Sequence, residues 1–125
     1  MTKILTQHFD EPKLHELETY RKLGGYEAWK KALAMKAADI VAEIKKSNLR
    51  GLGGAGYPTG GKWETVPPVE KAPERYVVCN FDESEPGCFK DRVLGERSPH
   101  QLLEGLLIAC HAIAAKWGFI FIRGE

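Results

Sequence analysis

The sequence predicts an α/β fold in which N-terminal helices precede a strand–helix–strand unit. Two short runs rich in β-branched and aromatic residues, Tyr76–Asn80 and Phe119–Ile122, are typical of strands. Between them lies a segment whose apolar residues recur at helical spacing. Strand, helix and strand in this order form a βαβ unit, so we expect the two strands to be parallel.

The N-terminal part of the chain predicts three helices. Residues 1–25 are polar and irregular, with a short helix expected over Lys13–Lys22. Apolar residues three and four positions apart indicate an amphipathic helix over Tyr26–Lys36 and a second one over Ala38–Lys46. Ser47 and Asn48 are expected to end the second helix. We therefore divide the chain into an N-terminal segment, residues 1–25, and an α/β domain, residues 26–125.

The clearest helix lies between the two strands. Ser98 is a candidate N-cap, Pro99 occupies the first helical position, and Gln101 completes a capping box. Gly118, just after Lys116, is expected to end the helix. Its apolar stripe is expected to pack in the core and consists of Leu102, Leu103, Leu106, Leu107, Cys110 and Ile113.

Both strands are expected to be buried on both faces, because continuous apolar runs are typical of parallel sheets. The sequence stops at Glu125, directly after a strand that should be central. A parallel strand in that position leaves a sheet edge to be covered. We therefore expect a domain that is truncated after a central strand.

Composition excludes several classes of protein. The chain has 125 residues, 43% of them hydrophobic and 28% charged, with a formal net charge of +1. This balance gives no indication of nucleic-acid binding, and no segment approaches the roughly 20 apolar residues of a membrane span. The N-terminus lacks a targeting signal, which favours a cytosolic compartment. Cys79, Cys88 and Cys110 show no C-x-x-C spacing, so we expect free, buried thiols and no metal or iron–sulfur site.

A glycine-rich stretch, Arg50–Trp63, is the first candidate for ligand binding. It resembles two phosphate-binding motifs without satisfying either. Gly51–Gly56 fits G-x-G-x-x-G, but a helix rather than a strand is expected before it. Gly56–Lys62 fits G-x-x-x-x-G-K, but Trp63 stands where a P-loop needs Ser or Thr. A P-loop ATPase is therefore disfavoured.

The same stretch has two remaining interpretations. One is a mobile glycine-rich linker. The other is an anion-binding loop, in which glycines let backbone N–H groups approach a ligand and flanking cations, Arg50 and Lys62, attract it. Tyr57, Pro58 and Trp63 favour the second interpretation, because linkers seldom carry large aromatics and a proline.

The second candidate region follows the first strand. Asn80 and Asp82 are suited to hydrogen-bond hydroxyl or amide groups, and ligands of open α/β sheets lie beyond the carboxyl ends of strands. Asp82, Glu83 and Glu85 could alternatively hold a hard cation or form a solvated acidic turn, and the following Lys90 could neutralise them. A loop for anions and a loop for hydroxyls together indicate a phosphorylated polyol, such as a flavin mononucleotide or another nucleotide.

Four motifs make the chain similar to a known family. In order they are RGLGGAGYPTGGKW, YVVCNFDESEPGCFKDR, SPHQLLEGLLIA and FIFIRGE. Together they resemble the flavin-bearing, NADH-oxidising subunit of respiratory complex I, from about Tyr26 to Glu125. The related diaphorase subunits of NAD-linked hydrogenases and formate dehydrogenases carry the same module. The resemblance implies a Rossmann-like FMN-binding α/β domain after the N-terminal helices.

The resemblance assigns five residues to FMN. Gly51, Gly53 and Lys62 match residues that hold the flavin. Asn80 and Asp82 match residues that hydrogen-bond along its ribityl chain and ring.

It assigns five more to NADH and the flavin environment. Gly54, Ala55 and Tyr57 match positions that line the NADH cleft, with the aromatic ring stacking on adenine. Glu83 is expected beside the flavin, and Glu85 near the nicotinamide ribose and amide. The flavin supplies the chemistry in this family, so no catalytic side chain and no metal ligand is expected.

Departures from the family pattern are also visible. Leu52 stands where the family commonly has Arg, Phe81 replaces a small residue, and Thr65 occupies a position often held by Phe. These departures bear on NADH affinity. The family's C-x-x-C-x-x-C motif for a [4Fe–4S] cluster is absent, so that cluster is expected only in a missing C-terminal part.

The resemblance implies a subunit of an NADH:quinone oxidoreductase that passes a hydride from NADH to FMN and then electrons to iron–sulfur clusters. Expected partners are other subunits of the complex, especially a [2Fe–2S] thioredoxin-like subunit, on the cytoplasmic face of the inner membrane and without membrane insertion. We expect the isolated chain to be inactive. The alternatives are a diaphorase subunit and a non-catalytic docking or assembly module.

Overall fold

A computed structural model describes residues 3–124 and confirms the α/β fold. Six helices and two strands follow one another in the described chain. They are α1 (Leu17–Lys22), α2 (Glu27–Leu33), α3 (Ala37–Ser47), α4 (Thr59–Glu64), β1 (Tyr76–Phe81), α5 (Lys90–Arg97), α6 (Pro99–Ala112) and β2 (Trp117–Ile122). None of these helices combines the length and apolar character needed to cross a membrane.

The two strands are parallel, as predicted from the βαβ order. β1 pairs with β2 over their full lengths, from Tyr76 opposite Trp117 to Phe81 opposite Ile122. The expectation that both faces of the strands are buried was wrong. Val78 is 61% exposed and Phe119 is 51% exposed, because α6 covers only the opposite face of the sheet in the described chain.

The core lies between the N-terminal helices and α6. Ala32, Ile40 and Ala112 are buried together there. The predicted helices are confirmed with different bounds: α1 begins four residues later than expected, and α2 ends at Leu33. Asn48 ends α3 in the left-handed region, with φ of 56°, as an asparagine C-cap can. The division of the chain at residue 25 remains a prediction.

Part of the glycine-rich stretch is helical, which the sequence did not indicate. The expected loop through Trp63 ends at Pro58, which is the N-cap residue of α4. Gly60 is buried, and a Cβ added to it would lie 2.7 Å from the Lys45 backbone nitrogen. The close approach of α4 to α3 therefore requires glycine at position 60.

The boundaries of α6 differ from the predicted signals. Pro99 does occupy the first helical position, but the side chain of Ser98 makes no cap hydrogen bond, so the capping box is not formed. The helix ends at Ala112 and not near Gly118. Ala114 has φ of 54°, and the Ala115 N–H donates to the Cys110 carbonyl at 2.8 Å, which closes the helix early. Gly118 belongs to β2.

A buried carboxylate joins the N-terminal helices to α6. Glu104 is only 7% exposed. Its carboxylate accepts hydrogen bonds from the Tyr20 hydroxyl at 2.5 Å, the Tyr26 N–H at 2.9 Å and the Trp29 N–H at 2.9 Å. The sequence pattern did not single out this residue, although Ile108 and Ala112, four and eight positions later on the same helical face, are apolar.

Candidate functional site

An open cleft of about 670 Å³ lies at the carboxyl end of β1. Six of the ten residues predicted for ligand binding line it: Gly53, Gly54, Asn80, Asp82, Glu83 and Glu85. Leu52, Ser84, Cys88, Lys90 and Asp91 complete the lining. The two candidate regions of the sequence, more than 20 residues apart, therefore face each other across one cleft.

One wall is the glycine-rich loop. Gly54 has φ of 106°, a conformation that L side chains rarely adopt. No atom lies within 4 Å of where a Cβ would stand at Gly53 or Gly54. A ligand can therefore approach the backbone of this loop without meeting a side chain.

The other wall is the acidic turn, which we define as residues 82–88. The Asn80 Oδ1 accepts a hydrogen bond from the Asp82 N–H at 3.2 Å, and the Ser84 hydroxyl donates to Asp82 Oδ2 at 2.6 Å. These local bonds orient both predicted hydroxyl-binding side chains where β1 ends. Gly87 has φ of 81° in this turn, a backbone conformation that residues with a Cβ rarely adopt.

Four of the predicted residues lie outside the lining of the cleft. Gly51 donates its N–H to the Tyr57 carbonyl at 2.9 Å, so this group closes the loop. Ala55 and Tyr57 are exposed, and Lys62 is exposed on α4. Arg50, expected to attract an anion, donates to the Gly56 carbonyl at 3.1 Å. The ligand contacts of these residues remain predictions.

The cleft is acidic. Four carboxylates line it and Lys90 is its one lysine among the described lining residues. The Lys90 Nζ lies 2.7 Å from an Asp91 oxygen and 4.0 Å from a Glu83 oxygen, so of the three carboxylates that Lys90 was expected to neutralise, Glu83 is the one these contacts include. The Asp91 side chain raises the pKa of Lys90 through a hydrogen bond, against the opposing effect of burial. The carboxylates of the cleft would repel an anionic group of a ligand. Hydroxyl and amide groups of a ligand could instead donate hydrogen bonds to these carboxylates.

Glu83 differs from the other carboxylates of the cleft. Partial burial acts to raise its pKa, but hydrogen bonds from the backbone of Asp91 and Arg92 and the charge of Lys90 outweigh it, so the pKa is lowered overall. The ionised form of Glu83 is therefore the one that the fold stabilises.

The cation interpretation gains no support from the described residues. Among residues 3–124, no group of three or more His, Cys, Asp or Glu side chains is placed to hold a metal ion. The carboxylates of the acidic turn instead accept hydrogen bonds from Ser84 and from backbone N–H groups.

The three thiols are free, as predicted, but not all are buried. Cys79 and Cys110 are half-buried, and burial raises the pKa of each. Cys88 is exposed at the cleft, contrary to the expectation of a buried thiol. It occupies a stretch, residues 84–90, in which every residue is exposed.

The cleft offers groups that could hydrogen-bond the hydroxyls of a ligand. Open backbone at Gly53 and Gly54, an oriented amide at Asn80 and an oriented carboxylate at Asp82 offer both donors and acceptors. Fold and site together define an α/β ligand-binding domain whose cleft lies beyond the carboxyl end of a parallel strand.

Comparison with known sequences assigns the family. The Nuo51 FMN-binding domain matches residues 44–125, which is most of the chain. The chain therefore belongs to the Nuo51 FMN-binding domain family.

Individual relatives are similar over nearly the whole chain. An NADH-quinone oxidoreductase subunit of Rhizobium meliloti (strain 1021) is 50% identical over 123 residues, covering 98% of this chain and 29% of the relative. An NADH-quinone oxidoreductase subunit of Aquifex aeolicus (strain VF5) is 48% identical over 122 residues, covering 98% of this chain and 28% of the relative. The chain thus spans less than a third of the length of these relatives.

A solved structure shows the same arrangement. A chain of the NAD⁺-reducing [NiFe]-hydrogenase in its air-oxidized state superimposes with a TM-score of 0.70 at 32% identity, covering 98% of this chain and 19% of that one. The predicted resemblance to complex I and hydrogenase subunits is confirmed.

Proposed function

We propose that this chain forms part of the FMN- and NADH-binding unit of an NADH:quinone oxidoreductase. The observation that carries the proposal is the cleft, where the glycine-rich loop and the acidic turn of a Nuo51 FMN-binding domain face each other. The relatives, which are named as NADH-quinone oxidoreductase subunits, support the choice of reaction.

In this proposal the chain binds and orients, and it supplies no acid, base or nucleophile. Gly53, Asn80 and Asp82 would hold the flavin, with Gly51 and Lys62 nearer its phosphate, because the carboxylates of the cleft disfavour an anion there. When bound, FMN would supply the hydride acceptor and pass electrons on singly.

The remaining predicted residues would serve NADH. Gly54 and Glu85 line the cleft and could contact the nicotinamide half of the nucleotide. Tyr57 is 56% exposed, which leaves its ring available to stack on adenine. Ala55 lies between Gly54 and Tyr57 on the glycine-rich loop.

The whole protein's assembly is also part of the proposal. The relatives are subunits of NADH-quinone oxidoreductases, so we propose iron–sulfur subunits as partners, including a [2Fe–2S] thioredoxin-like subunit, on the cytoplasmic face of the membrane. The likeness to a chain of an NAD⁺-reducing hydrogenase supports a diaphorase subunit as the second candidate. Because this chain spans under a third of its relatives, we propose that it has little activity alone.

An FMN titration tests the proposal. Fluorescence quenching is measured for the 125-residue chain and for a fusion that adds the remaining part of the Rhizobium meliloti relative. We expect saturable binding by the fusion, weaker binding by the chain alone, and NADH-dependent ferricyanide reduction by the fusion only.

A matched pair of variants assigns the binding to the cleft. Gly53→Val adds a side chain to the open wall and should weaken FMN binding by about tenfold or more, which corresponds to roughly 1.4 kcal/mol. Gly105→Val, with nothing within 4 Å of its Cβ and a position on α6 outside the cleft, should not change the affinity. A fusion that binds no FMN, or equal effects of both variants, would contradict the proposal.

A further inference from the structure

We propose that Glu83 is a positioning residue that ties the acidic turn to the first turn of α5 and so fixes one wall of the cleft. The expectation from the family resemblance gives Glu83 a place beside the flavin, whereas this proposal gives its side chain a structural role within the fold. The proposal depends on the proposed function only for the identity of the ligand.

The sequence of α5 leaves its N-terminus without a local cap. Phe89 occupies the N-cap position, and no side-chain cap hydrogen bond is made there. A phenylalanine has no acceptor to offer the first N–H groups of a helix, and this one is 67% exposed. Such N–H groups are satisfied by water or by an acceptor from elsewhere in the fold.

Glu83 supplies it from six residues before the N-cap. Its Oε1 accepts from the Asp91 N–H at 3.0 Å and its Oε2 from the Arg92 N–H at 3.2 Å. The side chain is only 11% exposed, and both oxygens are engaged with the helix. The negative charge also lies at the end of the helix where the macrodipole stabilises it.

These bonds close the chain from Glu83 to Asp91 into a tied loop. Within it the Cys88 N–H donates to the Glu85 carbonyl at 3.1 Å, which completes the turn. Ser84 and Glu85 are thereby held on the cleft, while Glu85 itself is exposed. Glu83 holds the wall, and Asp82 and Glu85 are the other two carboxylates of the acidic turn that line the cleft.

The lowered pKa of Glu83 determines how the hydrogen bonds between Glu83 and α5 depend on acid. Lys90 and Asp91 of α5 pair beside Glu83, Asp82 and Glu85 of the acidic turn line the same cleft, and Arg92 and Glu96 of α5 and Arg123, which follows β2, line a neighbouring pocket with Glu83. A carboxylate whose folded pKa is lowered contributes stability above its unfolded pKa, about 4.3 for glutamate, and loses it as the pH falls through the folded pKa. We expect the hydrogen bonds from Glu83 to α5 to persist at every pH above the folded pKa of Glu83.

Nuclear magnetic resonance on the free chain tests the proposal without any ligand. The chemical shift of the Glu83 carboxyl carbon should report a pKa below the usual range of glutamate. The chemical shifts of the Asp91 and Arg92 amide protons should change with the same midpoint pH. In Glu83→Ala, hydrogen exchange of both amides should accelerate about tenfold or more, and the acidic turn should become mobile. Glu83→Gln, which keeps one acceptor oxygen, should show intermediate protection.

A new local cap on α5 distinguishes two roles of Glu83, which are capping the helix and holding the acidic turn in place. In the double variant Glu83→Ala with Phe89→Ser, the serine should restore protection of the Asp91 and Arg92 amides, while the turn stays mobile. Glu85→Ala should leave both amides protected. The proposal is overturned if Glu83→Ala leaves the amides protected, if Glu83 titrates in the usual range, or if the serine also restores the turn.

FMN titration of the same variants keeps the two proposals separate. If the wild-type chain binds FMN, Glu83→Ala should weaken binding, and saturation with FMN should leave the Asp91 and Arg92 amide shifts unchanged. An FMN-induced release of these amides would overturn the positioning role. If no variant binds FMN, the amide measurements still decide the role of Glu83.

Discussion

At the scale of single residues, Glu104 is a buried carboxylate that depends on hydrogen bonds from the N-terminal helices. A carboxylate that is nine-tenths buried is costly unless hydrogen bonds satisfy it. The Tyr20 hydroxyl and two backbone N–H groups do so here. Burial, and then the hydrogen bond to Glu104, raise the pKa of Tyr20, so the hydroxyl remains a donor throughout the neutral range.

We expect Tyr20→Phe to destabilise the chain by about 1–3 kcal/mol, because Glu104 then loses a donor while it remains buried. The measurement is urea unfolding followed by tryptophan fluorescence. Tyr76→Phe is the matched control, since Tyr76 is 52% exposed and its hydroxyl donates to Glu74 at 3.4 Å. Equal unfolding midpoints for wild type and Tyr20→Phe would contradict a stabilising role for this hydrogen bond.

At the scale of elements, the contact between α3 and α4 sets the position of the glycine-rich loop. The Thr59 N–H donates to the Leu49 carbonyl at 2.9 Å, and an isolated bridge joins Arg50 to Pro58. The base of the loop is thus closed between these two helices. Gly53 and Gly54, at its tip, reach the cleft as a result.

Two neighbouring glycines of α4 provide a matched test of this packing. Gly60→Ala places a methyl group 2.7 Å from the Lys45 backbone nitrogen and should destabilise by about 1–3 kcal/mol. Gly61→Ala meets nothing closer than Pro58 at 3.8 Å and should be neutral or stabilising by up to about 1 kcal/mol. Thermal unfolding of the two variants measures the difference, and a reversed order would show that α4 does not pack as described.

At the scale of the whole molecule, one face of the sheet is exposed and largely apolar, apart from Asn80 near the end of β1. It carries the side chains of Tyr76, Val78, Trp117, Phe119 and Phe121, each more than half exposed. Parallel sheets are usually covered on both faces, and exposed apolar patches of this kind favour association. The relatives are more than three times as long as this chain, so most of their sequence lies outside the region that this chain matches.

We expect the 125-residue chain to self-associate through this face as its concentration rises. Replacing Phe119 and Phe121 by serine should shift the distribution towards monomer in sedimentation velocity experiments. Leu33→Ser removes a residue that is 53% exposed on α2, away from the sheet, and should not shift it. Association that persists in the double serine variant would assign it to another surface.

The sequence predicted what depends on local patterns. Alternation of β-rich runs with a helical stripe indicated the parallel βαβ unit, and four motifs indicated the family. Asn80 and Asp82 could be predicted for a ligand site because they lie at the carboxyl end of a recognisable strand. Helices α4 and α5 were missed, since Gly60, Gly61 and the uncapped Phe89 oppose helix formation locally and are compensated only by contacts elsewhere.

By itself the sequence determined the α/β class, the order of the main elements, the family and the two segments that meet in the cleft. The tertiary structure decided which residues actually line that cleft, that Glu83 caps α5, that Glu104 is buried and that one sheet face is exposed. The physical reason is that helical and strand periodicity is a property of neighbouring residues. Burial and hydrogen-bond partnership depend instead on residues far apart in the chain, such as Tyr20 and Glu104.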